Sequence, residues 1–121
     1  MVHPDGETRI RQQVVGQRLS AVTFVMDYIQ LLFDPPPTIN VYTPITVRSG
    51  GRTAVSGEET FRNLICEQIP KTVASIAIVD GESFSLRFED DSIISISLHE
   101  QDRQGGDAVD FLGADNVLVF L

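Results

Sequence analysis

The sequence predicts an α+β domain: an antiparallel sheet of about six strands, flat or curled into a half-open barrel, with one main helix on its apolar face. Three observations predict it. A long stretch is written twice, each copy alternates apolar and polar residues as half-buried strands do, and one segment between the copies has helical spacing.

The first copy is Leu19–Thr43 and the second Val73–Leu98, within spans of about 17–43 and 71–98. Leu19 matches Val73, Val22 matches Ile76 and Phe24 matches Ile78. After one extra residue at the first turn, Ile29 matches Phe84, Leu31 matches Leu86 and Phe33 matches Phe88. Ile39 then matches Ile94, and Val41 matches Ile96. Each copy reads as a three-stranded meander. A chain of 121 residues holds one domain-sized core, so the copies are expected to share it.

Element by element, Met1–Gly6 reads as a frayed terminus. Glu7–Val15 has apolar residues only at Ile10, Val14 and Val15, which fits a short helix or an extended arm. Strands follow at Gln17–Met26 and Tyr28–Asp34, turned at Asp27 and stopped by Pro35, Pro36 and Pro37, which cannot donate to a ladder. Thr38–Thr43 returns as a third strand. Pro44–Thr53 reads as a loop marked by Gly50-Gly51, although Ile45 and Val47 could prolong the strand before it.

The helix is expected over Gly57–Gln68. Ser56 and Glu59 have the spacing of a capping box, Phe61, Leu64, Ile65 and Ile69 form one stripe, and Pro70 ends it. In the second meander Asp80-Gly81 suits a two-residue hairpin, and Asp90-Asp91 turns the chain again. Phe84, Leu86 and Phe88 alternate with Ser83, Ser85, Arg87 and Glu89, the pattern of a sheet covered on one side. Glu100–Asp107 is a polar loop, and Val117–Leu121 is an edge strand or a free tail. Phe24, Phe33, Phe61, Leu64, Phe84 and Phe88 are the expected core, each worth ~1.5–3 kcal/mol when buried.

Charge narrows the function. A formal charge of -8 and a pI near 4.5 repel phosphate backbones, which argues against a nucleic-acid partner. Cys66 is the single cysteine, so no intrachain disulfide and no paired-cysteine zinc site can form. The polar start MVHPDGETRIRQQ lacks a signal-peptide core, and no apolar run is long enough for a membrane span. The expectation is a cytoplasmic protein, without cofactor.

The two copies differ on their outer sides. The second is serine-rich, whereas the first carries Tyr28, Leu32 and Tyr42, with Gln30 and Asn40 beside them. Apolar residues on an outer face mark an interface or a surface covered by another part of the chain. Here the cover would be the amino-terminal arm or the carboxy-terminal run; otherwise the face meets a second copy or another partner.

Catalytic groups are sparse. His99 ends a strand beside Glu100 and Asp102, an arrangement able to shuttle protons or bind a metal but commoner as a solvated strand end; His3 sits in the terminus. Glu89, Asp90 and Asp91 lack the ligand spacing of a cation loop. Cys66 lies late in the helix and before Glu67, as a packing residue rather than a nucleophile. The glycine pairs at 50–51 and 105–106 match no phosphate-loop pattern. Arg9, Arg11, Arg18, Arg48, Arg52 and Arg62 scatter over the first half, either as a locally basic side or, for Arg9, Arg11 and Arg18, as a solvated face.

Gly16–Asp34, GQRLSAVTFVMDYIQLLFD, resembles the opening of a family of small uncharacterised bacterial proteins, in which a glycine-led strand turns into a DYIQLxF-type strand. The resemblance implies a shared fold and carries over no catalytic or binding residue. Two readings of function result. One is a non-enzymatic interaction protein, self-associating as a homodimer through Tyr28, Leu32 and Tyr42 or neutralising a basic protein as an immunity protein or inhibitor does. The other is a small-molecule binder or enzyme whose pocket, between sheet and helix or at a dimer seam, gathers Arg87, His99 and Glu100.

Overall fold

β-branched and aromatic runs set off by turn residues make strands the prevailing element of this chain. The computed structural model describes residues 4–34, 36–114 and 118–121. Its strands are β1 (Leu19–Val25), β2 (Tyr28–Phe33), β3 (Thr38–Val41), β4 (Ile45–Ser49), β5 (Arg52–Val55), β6 (Val73–Val79), β7 (Ser83–Phe88), β8 (Ile93–Ser97), β9 (Val109–Leu112) and β10 (Leu118–Phe120). Two α-helices, α1 (Pro4–Val14) and α2 (Phe61–Cys66), and one 3-10 turn (Glu100–Asp102) complete the described residues. The class is the α+β, antiparallel one that the sequence predicts, with the strands divided between two five-stranded sheets rather than gathered in one sheet of about six. The first sheet runs β1-β2-β3-β9-β10 and the second β5-β4-β8-β7-β6.

The meanders carry matching registers. Leu19 faces Phe33 as Val73 faces Phe88, and both pairs are followed by a bulge before Ala21–Leu32 and Ser75–Arg87. The turn after the second strand repeats as well: Phe33 N–H donates to Pro37 O at 3.1 Å, and Phe88 N–H to Ser92 O at 2.8 Å. Where the meanders meet, Arg18 and Thr72 form a bridge about which the contacts are reciprocal. Leu19 N–H donates to Lys71 O and Val73 N–H to Gln17 O, both at 2.9 Å. Gly16 N–H adds a bond to Val73 O, but Pro70, at the matching place, has no N–H to return it.

The strands beyond each meander cross over. β4 follows β3 in the chain yet pairs with β8, while β9 follows β8 yet pairs with β3. Val41–Val109 and Ile96–Ile45 are matching pairs, with Tyr42 N–H bonded to Ala108 O and Ser97 N–H to Pro44 O beside them. The correspondence between halves therefore covers five strands each, not three. Gly50 and Gly51, at φ 58° and 80°, form the tight turn of the β4–β5 hairpin, because only glycine adopts this pair of left-handed conformations cheaply.

All buried apolar residues, from both sheets and both helices, join one cluster. α2 packs against β1, β4 and β5, at the opening between sheet edges β1 and β5. α1 lies against β6, and Gly6 brings it to the opposite edge, where an added Cβ would come within 2.9 Å of Val119. Ile10 and Val14, one turn apart, supply its buried stripe.

Several local expectations are corrected. Gly6 and the residues just before it are helical rather than frayed, because α1 docks there. α2 is shorter than Gly57–Gln68, and the Ser56–Glu59 capping box does not form: the Ser56 hydroxyl is taken by the backbone of Ile45, and Glu58 turns back to accept the Val55 N–H at 2.6 Å. Asp80, Gly81 and Glu82 make a three-residue turn, the last being the extra residue of the second copy. Phe24 is not core but 37% exposed, and Cys66 is exposed rather than packed. The final run does form an edge strand over Leu118–Phe120, with Val117 outside the described residues.

With one core spanning both halves, Phe33→Ala and Phe88→Ala should each cost about 3–5 kcal/mol in chemical denaturation. Each variant should still unfold in a single step, seen alike by far-UV circular dichroism and tyrosine fluorescence.

Candidate functional site

Strand alternation sends one side chain in two away from the core, and the registers define the resulting outer faces. On the first sheet one row crosses Ala21, Leu32, Thr38, Leu112 and Leu118. The next crosses Thr23, Gln30, Asn40, Asp110 and Phe120, and the last holds Val25 and Tyr28 with Tyr42 beyond the strand end. Leu112, Leu118 and Phe120 are 41%, 57% and 54% exposed, and Leu32 and Tyr28 are half-buried.

Tyr28 and Tyr42 pack ring to ring, with centroids 5.3 Å apart and planes tilted by 40°. The Tyr42 hydroxyl donates to Asp110 Oδ2 at 2.5 Å across β3 and β9. That bond to a carboxylate, helped by burial, pushes the Tyr42 pKa from 10.0 up to about 12. The expected interface residues Tyr28, Leu32 and Tyr42 thus share one face, and β9 and β10 extend it with Leu112, Leu118 and Phe120. Those three were missed because their face is defined by pairing with β3, which no local pattern reveals. Among the described residues neither end of the chain covers this face: α1 docks on β6 and β10 continues the sheet edgewise.

A second constellation lies where α2 ends. Lys71 Nζ reaches Gln68 Oε1 at 2.9 Å, Ser92 Oγ at 3.1 Å, Ser49 Oγ at 3.3 Å and Asp90 Oδ2 at 2.7 Å. Ser49 and Ser92 are buried and 2.8 Å apart. Hydrogen bonds from Lys71 and then from the Ser92 N–H hold the Asp90 carboxyl down at about 2, from 3.8. The Lys71 amine is held among these oxygens, with the Asp90 carboxylate nearest, and the two serine hydroxyls are engaged with it and with each other. Its chemistry is anchoring: it ties the β7–β8 turn to α2 and β4.

The residues expected to form a pocket are not brought together. Arg87 binds Ser75 Oγ and Asp91 Oδ1 at the end of β7 that faces Ile93. His99 and Glu100 are exposed and follow the opposite end of β8. His3 lies outside the described residues, and no group of three or more potential metal ligands occurs among those described. A cleft of about 560 Å³ does exist, between the β1–β2 hairpin and the turn into α2, bordered by Phe24, Met26, Ile29, Val41, Phe61 and Arg62. It includes neither His99 nor Arg87. No helix among the described residues is long and apolar enough to cross a membrane.

Compared with protein-family models, curated proteins and solved structures, the chain matches none.

Two measurements test these assignments. In spectrophotometric titration Tyr42 should ionise near pH 12, and Asp110→Asn should return it toward 10. Folded-state protonation is the tighter, so stability from this pair is full below pH 10 and is lost as pH rises through 12. Lys71→Met should lose about 1–3 kcal/mol, since Gln68, Ser49 and Ser92 lose their donor. It should also remove the Asp90-linked stability, which is present above pH 3.8 and lost as pH falls through 2.

Proposed function

We propose that this protein is a cytoplasmic, non-enzymatic interaction module that self-associates through the outer face of its first sheet. The observation that carries the reading is a comparison within the molecule. Matching registers let each outer position of one sheet be compared with its counterpart on the other. Leu32 and Leu112 on the first sheet stand where Arg87 and Arg48 stand on the second. Tyr28 and Tyr42 stand where Ser83 and Ser97 do, and Gln30 and Asn40 where Ser85 and Ser95 do. The same backbone is thus dressed for water on one side and for contact on the other.

Charge favours a second copy as the occupant. Two chains of formal charge -8 repel, so they must meet where little charge is present. Across the rows named above Asp110 is the one ionised side chain, and it is bonded to Tyr42. Tyr28 and Tyr42 add the aromatic surface that interfaces favour. A second reading, a small-molecule binder, is favoured by the cleft beside the β1–β2 hairpin.

Light scattering on a size-exclusion column tests self-association. At high micromolar concentration the mass should be near twice 13.4 kDa. The double variant Leu32→Arg/Leu112→Arg copies the second sheet onto the first and should elute as a monomer with unchanged circular dichroism. A wild-type monomer under the same conditions would refute the proposal.

A further inference from the structure

The cleft at the β1–β2 hairpin combines an apolar base with open charges of both signs. Val41 and Phe61 are buried, Ile29 is half-buried, and Phe24 forms a wall exposed by 37%. The exposed border carries Asp27, Glu59 and Arg62. Its volume of about 560 Å³ lies within the ~300–1,000 Å³ range of small-molecule sites.

Arg62 is held ready rather than neutralised. A helix would ordinarily offer it a carboxylate one turn earlier, from Glu58. That carboxylate instead accepts the Val55 N–H at 2.6 Å. The Arg62 guanidinium lies over the Phe24 ring, 5.2 Å from its centroid, and among the described residues it meets no carboxylate. With no carboxylate partner among the described residues, the guanidinium fork is available to grip a carboxylate in two-point fashion. Asp27 and Glu59, likewise unpartnered among the described residues, offer acceptors to an ammonium. Their excess over Arg62 disfavours a multiply charged anion such as phosphate.

We infer that this cleft binds a small zwitterion with an apolar body, an amino acid or dipeptide. Arg62 takes its carboxylate, Asp27 and Glu59 its ammonium, and Phe24, Ile29 and Phe61 its side chains. This rests on the small-molecule reading; Tyr28 and Tyr42 line the cleft as well as the proposed contact face, whereas Leu32 and Leu112 lie outside the cleft and can be changed without touching it.

Titration of 15N-labelled full-length protein with L-leucyl-L-leucine, followed by amide shifts, tests the inference. Saturable shifts should map to the β1–β2 hairpin and the start of α2. N-acetylation or C-amidation of the dipeptide should each weaken binding at least about tenfold, as loss of a charge-assisted pair does. Arg62→Met should erase the preference for the free carboxylate, and Asp27→Asn/Glu59→Gln the preference for the free amine. These side chains are exposed, and the same spectra report that the variants fold. Absence of saturable shifts up to about 10 mM would overturn the inference, as would equal binding of the doubly blocked dipeptide or shifts confined elsewhere. If the Leu32→Arg/Leu112→Arg monomer binds the dipeptide as wild type does, the cleft stands whatever becomes of the dimer.

Discussion

The exchange of hairpins between the halves is the constraint on which the rest of this structure depends. β4–β5 leaves the first meander to complete the sheet of the second, and β9–β10 does the reverse. Neither five-stranded sheet can therefore be assembled from one half of the chain. The exchange also fixes the helices. Each spans an opening between edges of different sheets, so each buries its stripe only after both sheets have formed. Two of the strand pairings, β3–β9 and β4–β8, are hence non-local, and closing their long loops costs entropy before the shared interior repays it.

Sequence periodicity made the meanders legible because their stabilising pairs are neighbours in the chain. Leu19–Phe33 and Val73–Phe88, like the rest of each meander, follow from alternation and turn residues alone. β4, β5 and β9 escaped notice for the opposite reason. They are short, and β4 and β9 become strands through partners far away in sequence, with β5 folding back on β4: Ile45 and Val47 looked like an extension of β3, whereas they pair with Ile96 and Ile94. α1 was ambiguous because two buried residues, Ile10 and Val14, make a thin stripe. Phe24 matches Ile78 in pattern, but hydrophobicity alone could not show that the hairpin end of the first sheet opens into a cleft. Of the candidate site, Tyr28, Leu32 and Tyr42 were readable as outward apolar residues, and Arg62 was not. Its importance arises from Glu58 turning away, a local geometry that helical spacing contradicts.

The two ends of the core are closed by different physics. Beside the second meander, Gln68, Lys71, Ser49 and Ser92 form a polar knot under Asp90. The matching places beside the first hold Val14, Gln17, Gly113 and Pro37, with Gln13 Oε1 accepting the Ala114 N–H nearby. A half-buried amine needs its donors met, and four oxygens within 3.3 Å of Lys71 Nζ meet them. Those contacts tie the β7–β8 turn to α2 and β4. They explain why the most enzyme-like cluster in the molecule is a structural clasp.

Where the halves agree and where they diverge is then informative. Inward positions are interchangeable in kind: Leu31 and Leu86, Phe33 and Phe88, Ile39 and Ile94 are all buried. Packing demands this, since one methylene more or less in a shared core is felt across it. Outward positions are free of that demand, so their composition reflects what each face meets. Serines and arginines are what water permits on the second sheet. Leucines, tyrosines and Phe120 on the first stand outside the buried core cluster. Leu32 and Leu112 on the first sheet, where the second carries Arg87 and Arg48, are the difference on which the proposed contact with a partner rests.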